Sequence, residues 1–74
     1  MKQCNDRNAK EIFAKRLKEL LHYNGLTQFR LAMDLGVTPQ AISSYVLGKT
    51  TPDYSVLRDI ARYFDVSIDF LLGR

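Results

Sequence analysis

Thr27, Gly36 and Thr38 leave this chain few ways to fold. Thr27 offers a hydroxyl oxygen to the free N–H groups at the start of a helix. Leu31, Ala32 and Leu35 follow at the three- and four-residue spacing of a buried helical stripe. Gly36 stands where a helix ends most cheaply, in a left-handed residue. Val37 fills the corner and Thr38 caps the next helix. Pro39 at the first position of that helix loses no hydrogen bond, because the N–H there has no intrahelical partner. With no spare residue between stop and restart, the two helices cross sharply, and the second can project from the surface.

Counting from Gln28 as the first position, Ala32 is fifth, Gly36 ninth and Ile42 fifteenth. These are the small, glycine and aliphatic positions of the helix-turn-helix signature, and Leu31, Leu35, Val37 and Tyr45 fill its other apolar positions. Ala32 is small where the second helix backbone passes, and Ile42 is the wedge between the helices. The segment resembles the DNA-binding domain of the lambda-repressor-like, or XRE, family. Leu17-x-x-Leu20, Gly25-Leu26-Thr27-Gln28, Gly48-Lys49 with Pro52, and the run from Leu57 to Gly73 extend the resemblance to roughly residues 12–73. It implies an all-α, compact five-helix lambda-repressor-like domain over residues 9–74, with the helix-turn-helix formed by helices 2 and 3. Residues 1–8 are expected to be a flexible N-terminal arm.

The remaining pattern agrees. Asn8 with Glu11 three residues on reads as a variant capping box, and Phe13, Leu17, Leu20 and Leu21 form the stripe of a first helix ended by Asn24-Gly25. Asp53 or Ser55 caps a fourth helix carrying Tyr54, Leu57, Ile60, Ala61 and Phe64. Asp65 ends it, Val66 inserts, and Ser67 caps a last short helix, Ile68 to Leu72, closed by Gly73. Neither a strand nor an internal repeat is expected.

Length and charge exclude several functions. Seventy-four residues hold one domain, whose core is marginal because a chain this size buries only ~60% of its unfolded surface. The net charge of +3 is mildly basic and compatible with nucleic acid. The excess lies in the first half, at Lys10, Lys15, Arg16 and Lys18 among others. Cys4 is the only cysteine, a spectator thiol in a polar tail, and His22, the only histidine, is a solvated residue at a helix end. Neither builds a catalytic set or a metal site, so no enzyme activity, metal or cofactor is expected. No sensor or ligand domain is expected after Arg74, and so no small-molecule ligand is expected either. No apolar run reaches signal-peptide or membrane length, so the expected location is the cytoplasm.

The resemblance assigns roles residue by residue. Helix 3 lies in the major groove, and its exposed start carries the base-contact candidates Pro39, Gln40, Ser43 and Ser44. Gln40 alone can pair bidentately with adenine. Ser43 and Ser44 serve several bases or only permit close approach, and Pro39 offers an apolar ring to a thymine methyl. Gln28 matches a phosphate-contacting glutamine at the start of helix 2, where free N–H groups and the helix dipole favour an anion. Lys49 and the Leu47-Gly48 backbone match a phosphate-gripping loop, with Thr27, Thr38, Thr50 and Thr51 as hydroxyl helpers. Helix 3 has no Arg or Lys, so the implied operator is read through A·T features and shape, with modest salt dependence. Tyr45 reads as a core aromatic with its hydroxyl at the DNA edge.

Two departures from the family pattern stand out. An arginine late in helix 1 and a glutamate near the end of helix 3 are replaced here by Leu21 and Val46. They are expected to form an apolar substitute for that ion pair, an exchange often neutral or stabilising when both charges go together. Phe29 and Met33 occupy positions usually polar in the family. Phe29 is expected to pack, and Met33 either packs or is part of a partner patch. The leading function is a sequence-specific DNA-binding regulator, a repressor acting as a homodimer, with Val66, Ile68 and Phe70 as interface candidates and Leu71 in the core. The alternative is an antitoxin-like protein-interaction module that autoregulates through the same DNA face and meets its partner through Phe29 and Met33.

Overall fold

Each of the last four helices starts on a side chain supplied by the residue just before it. In the computed structural model, which describes residues 6–73, these helices are α2 (Gln28–Leu35), α3 (Pro39–Val46), α4 (Tyr54–Phe64) and α5 (Ile68–Leu72). The hydroxyls of Thr27, Thr38 and Ser67 accept from the backbone N–H of Arg30, Ala41 and Phe70 at 3.0, 3.1 and 2.9 Å. Asp53, not Ser55, caps α4, its carboxylate accepting from the Val56 N–H at 3.0 Å. Each such cap contributes about 1 kcal/mol.

The first helix starts earlier than expected. α1 spans Asp6–Tyr23, so Asn8 lies within it instead of capping it, and residues 6–8 of the expected arm are helical. A Glu three residues after an Asn is also an ordinary spacing inside a helix, so the pattern alone could not separate the two cases. Residues 1–5 of the arm, Cys4 among them, lie outside the described residues. No strand occurs among the described residues.

The helices close around Phe13, Leu17, Leu31, Ile42, Ile60 and Leu71, all fully buried, and every helix contributes at least one. Leu21, Ala32, Val46, Leu57 and Ala61 complete the cluster. Burying each large side chain contributes roughly 1.5–3 kcal/mol. No polar or charged residue is buried among the described residues. Leu71 belongs to the core as expected, and so do both Leu21 and Val46.

Two corners set the crossing angles. Between α2 and α3, Gly36 takes φ 74°, and the Val37 N–H donates back to the Ala32 carbonyl at 3.0 Å. Between α4 and α5, Asp65 takes φ 57°, and the Val66 N–H donates to the Ala61 carbonyl at 2.9 Å. A polar tie also joins α2 to α4. The Tyr63 hydroxyl donates to the Asp34 carboxylate, which accepts as well from Arg30 Nε at 3.2 Å. Behind α5, Gly73 lies so near α1 that a Cβ there would fall 2.7 Å from Ile12 Cγ2.

Candidate nucleic-acid interface

α3 buries Ile42 and Val46 and turns its other side outward. Pro39 and Gln40 are exposed, Ser43 and Ser44 half-buried, and Leu47, at the C-cap, is 63% exposed. Gln40, Ser43, Ser44 and Leu47 recur at three, four and seven residues, which places them on one face over two turns. The face carries no charge. Among the described residues, no side-chain hydrogen bond engages Gln40, Ser43 or Ser44. Within the described residues their donors and acceptors are unengaged.

The start of α2 is prepared differently. The Thr27 hydroxyl serves the Arg30 N–H and the Thr27 carbonyl the Leu31 N–H. Among the described residues the Gln28 and Phe29 N–H groups have no such partner, as expected at a helix start, and the exposed Gln28 side chain stands beside them. That is a concentration of donors with the positive end of the helix dipole behind it. The Thr27 and Thr38 hydroxyl oxygens are used as caps, which leaves each O–H to donate outward.

The loop after α3 offers less backbone than expected. Leu47, Gly48 and Lys49 N–H groups donate to the Ser43, Tyr45 and Ser44 carbonyls at 3.0, 3.1 and 3.0 Å. These amides finish α3 and are already engaged. The groups left for a phosphate are the exposed Lys49 ammonium and the exposed Thr50 and Thr51 hydroxyls. Tyr45 is half-buried, its ring edge-on to Phe13 at 6.0 Å between centroids. Burial, with a smaller push from Asp53, raises its phenol above the ordinary value, so it stays a neutral donor.

The other expected residues lie on other elements. Val66 and Ile68 are half-buried against the core. Phe70 is 37% exposed and lies under the Arg16 guanidinium, 4.7 Å from its ring centroid. Phe29 does not pack, contrary to its expected burial. It is 61% exposed and Met33, one turn on, is 63% exposed. Hydrophobicity alone cannot say whether a neighbour exists to cover a side chain, and the described residues leave this pair exposed. His22 is exposed, and no group of His, Cys, Asp or Glu among the described residues could hold a metal. No helix among them is long and apolar enough to cross a membrane.

One feature of the surface has no local sequence signature. An open groove of about 380 Å³ separates α1 from the end of α3, with Lys15 and Lys18 on one wall and Leu47 and Gly48 on the other.

A family described as helix-turn-helix matches residues 17–71. Among curated proteins, the chain is 41% identical over 61 residues to an uncharacterised HTH-type transcriptional regulator, YqaE, of Bacillus subtilis, covering 82% of this chain and 53% of that protein. It is 40% identical over 61 residues to the HTH-type transcriptional activator BcrR of Enterococcus faecalis, covering 82% of this chain and 30% of that one. The chain thus spans about half the length of the first relative and under a third of the second. Among solved structures it is similar to an SOS-response transcriptional repressor, LexA, from Eubacterium rectale, with TM-score 0.83 and 26% identity over 86% of this chain and 68% of that chain.

Proposed function

The chain belongs to the XRE, lambda-repressor-like family of helix-turn-helix, DNA-binding transcriptional regulators, and from that premise we propose that it reads a pseudo-palindromic operator as a homodimeric repressor. α3 enters the major groove. Gln40 pairs with an adenine, Ser43 and Ser44 contact neighbouring base edges, and the Pro39 ring meets a thymine methyl. Gln28 with the free α2 amides, together with Lys49, Thr50 and Thr51, holds phosphates on either side. The outward row of α3, uncharged and with Gln40, Ser43 and Ser44 unpartnered among the described residues, carries this reading.

Selection from a random duplex pool, followed by a single-base binding array, tests it. Gln40→Ala removes one A·T preference worth about 1–3 kcal/mol and leaves the others in place. If every single-base preference survived that change, the reading would fail. The selected sites are expected to show two-fold symmetry with half-sites about one helical turn apart, roughly 34 Å. Val66, Ile68 and Phe70 form the partner-facing patch of that dimer. Repression is supported by the solved repressor relative, and a promoter reporter decides it against activation, the role printed for BcrR.

The exposure of Phe29 and Met33, four residues apart on α2, favours a second reading. The chain is then an antitoxin-like module whose protein partner covers this pair while α3 autoregulates on DNA. Co-purification of a small partner from the native host, lost in Phe29→Ser with Met33→Ser, separates the two. In either case the site of action is the cytoplasm, where the DNA is.

A further inference from the structure

We propose that α1 belongs to the DNA interface: Lys15 and Lys18 bind the sugar-phosphate backbone flanking the bases that α3 reads. The inference rests on the α3 reading above and extends it to a helix outside the helix-turn-helix unit. α3 carries no charged side chain, yet the affinity of a protein for duplex DNA comes largely from neutralised phosphates. The cations must therefore stand beside the reading helix. The outward row of α3 ends at Leu47, and across the groove from Leu47 and Gly48 stand Lys15 and Lys18. The two lysines are three residues apart on one face of α1, and both are exposed. Neither is in an ion pair among the described residues, where the pairs are Arg16 with Glu19 and Arg30 with Asp34.

The groove matches a nucleotide backbone in its mixture of surfaces. Ala14, Val46 and Leu47 supply apolar contact for a deoxyribose, and the two ammonium groups supply charge for its phosphate. Of the two carboxylates that also line it, Glu19 lies 3.9 Å from the Arg16 guanidinium. Glu11, exposed one turn before Lys15, opposes an incoming phosphate. The groove opens onto Gly48, directly before Lys49, so it continues the surface already assigned to phosphates.

The test measures binding of the full chain to a duplex that wild type enriches from a random pool, across a salt series. Lys15→Gln and Lys18→Gln each lower the slope of log affinity against log salt by about one, and the double change by about two, with base preferences unchanged. Glu11→Gln moves affinity the other way, tightening binding. Single methylphosphonate replacements, scanned along the flanks, identify a phosphate whose neutralisation weakens wild type but not the double variant. Arg58→Gln with Arg62→Gln, an equal charge change on α4 outside the groove, leaves the slope near wild type. The α1 proposal is overturned if the Lys15, Lys18 double variant keeps the wild-type slope or if the α4 pair lowers it as much. A wild type that enriched no sequence would instead overturn the α3 reading and this inference with it. Enrichment that depends on Gln40 but not on the α1 lysines would remove only the latter.

Discussion

The α2–α3 corner and the α4–α5 corner are the same device built twice. Ala32, Gly36, Val37, Thr38 and Ile42 correspond to Ala61, Asp65, Val66, Ser67 and Leu71, each pair separated by the same number of residues. In both, a left-handed residue stops the helix and the next N–H returns to the alanine carbonyl. A half-buried valine then precedes a hydroxyl cap, and the fourth helical residue is fully buried. An apolar residue before the cap and another at the fourth position have the spacing of a hydrophobic staple, which fixes how the chain enters the new helix. The helices launched from the two corners differ. α3 runs eight residues and keeps one face open, whereas α5 runs five and ends with Gly73 against Ile12 of α1. Corner chemistry therefore sets a crossing angle, and the length and outer face of the next helix decide whether the result is a projecting helix with an open face or a plug.

Truncating the buried residue after each corner gives the largest expected effect. Ile42→Ala and Leu71→Ala each cost about 2–5 kcal/mol in urea unfolding, a large share of the ~5–15 kcal/mol typical of a folded domain. Leu71→Ala falls nearer the lower figure, because a five-residue terminal helix can shift to fill the gap. Equal costs would mean that α5 is held as firmly as α3.

The left-handed residues give the next effect. Gly36→Ala costs about 1–2 kcal/mol, the penalty of a Cβ at that φ. Gly36→Asp, which rebuilds the second corner in the first, costs less, because aspartate tolerates this conformation. Asp65→Gly gains less than about 1 kcal/mol, since relief of its backbone is offset by the greater freedom of glycine in the unfolded chain. Thermal melts of the three variants rank these effects. If Gly36→Asp proved as costly as Gly36→Ala, the two corners would not be interchangeable.

The smallest effect concerns the tie between the helices that precede the corners. The Tyr63 hydrogen bond, then the Arg30 hydrogen bond and charge, hold the Asp34 carboxyl below its ordinary value, against a partial opposing effect of desolvation. A carboxyl depressed in the folded state adds stability above its unfolded pKa, and that contribution is lost as pH falls through the folded value. Donating that same bond raises the Tyr63 phenol, so the tie also fails when strong alkali ionises it. The urea midpoint of Tyr63→Phe is therefore expected slightly below wild type at neutral pH. The gap narrows on acidification through and below the ordinary carboxylate range. A gap independent of pH would mean that Tyr63 acts by packing alone.

The corners were legible because every part of them is local. A cap, a stop and a buried residue follow one another within a few residues, and three of the four caps, the left-handed Gly36 and the helix end at Asp65 follow from residue type, whereas the left-handed φ of Asp65 does not. The repetition itself was missed, since glycine and aspartate, threonine and serine, or isoleucine and leucine share chemistry without sharing identity. The fourth cap stayed open between Asp53 and Ser55 because either can accept from a helix N–H. The Asp34–Tyr63 tie and the groove between Lys15, Lys18 and Leu47 join residues far apart in the chain, and no periodicity reports on such pairs. The outward set of Pro39, Gln40, Ser43 and Ser44 followed from the helical period once the start of α3 was known, whereas the engaged amides of Leu47 to Lys49 needed the actual turn.

In α3 the residues that hold the helix and those that face outward are different members of one short helix. Ile42, Val46 and the Thr38 cap fix it in place, while the Gln40 and Ser43 side chains bond to nothing else in the described chain. Exchanging such outer residues is expected to change stability by no more than about 0.5 kcal/mol. The outer row of this helix can thus be rewritten one side chain at a time, without re-founding the fold that carries it.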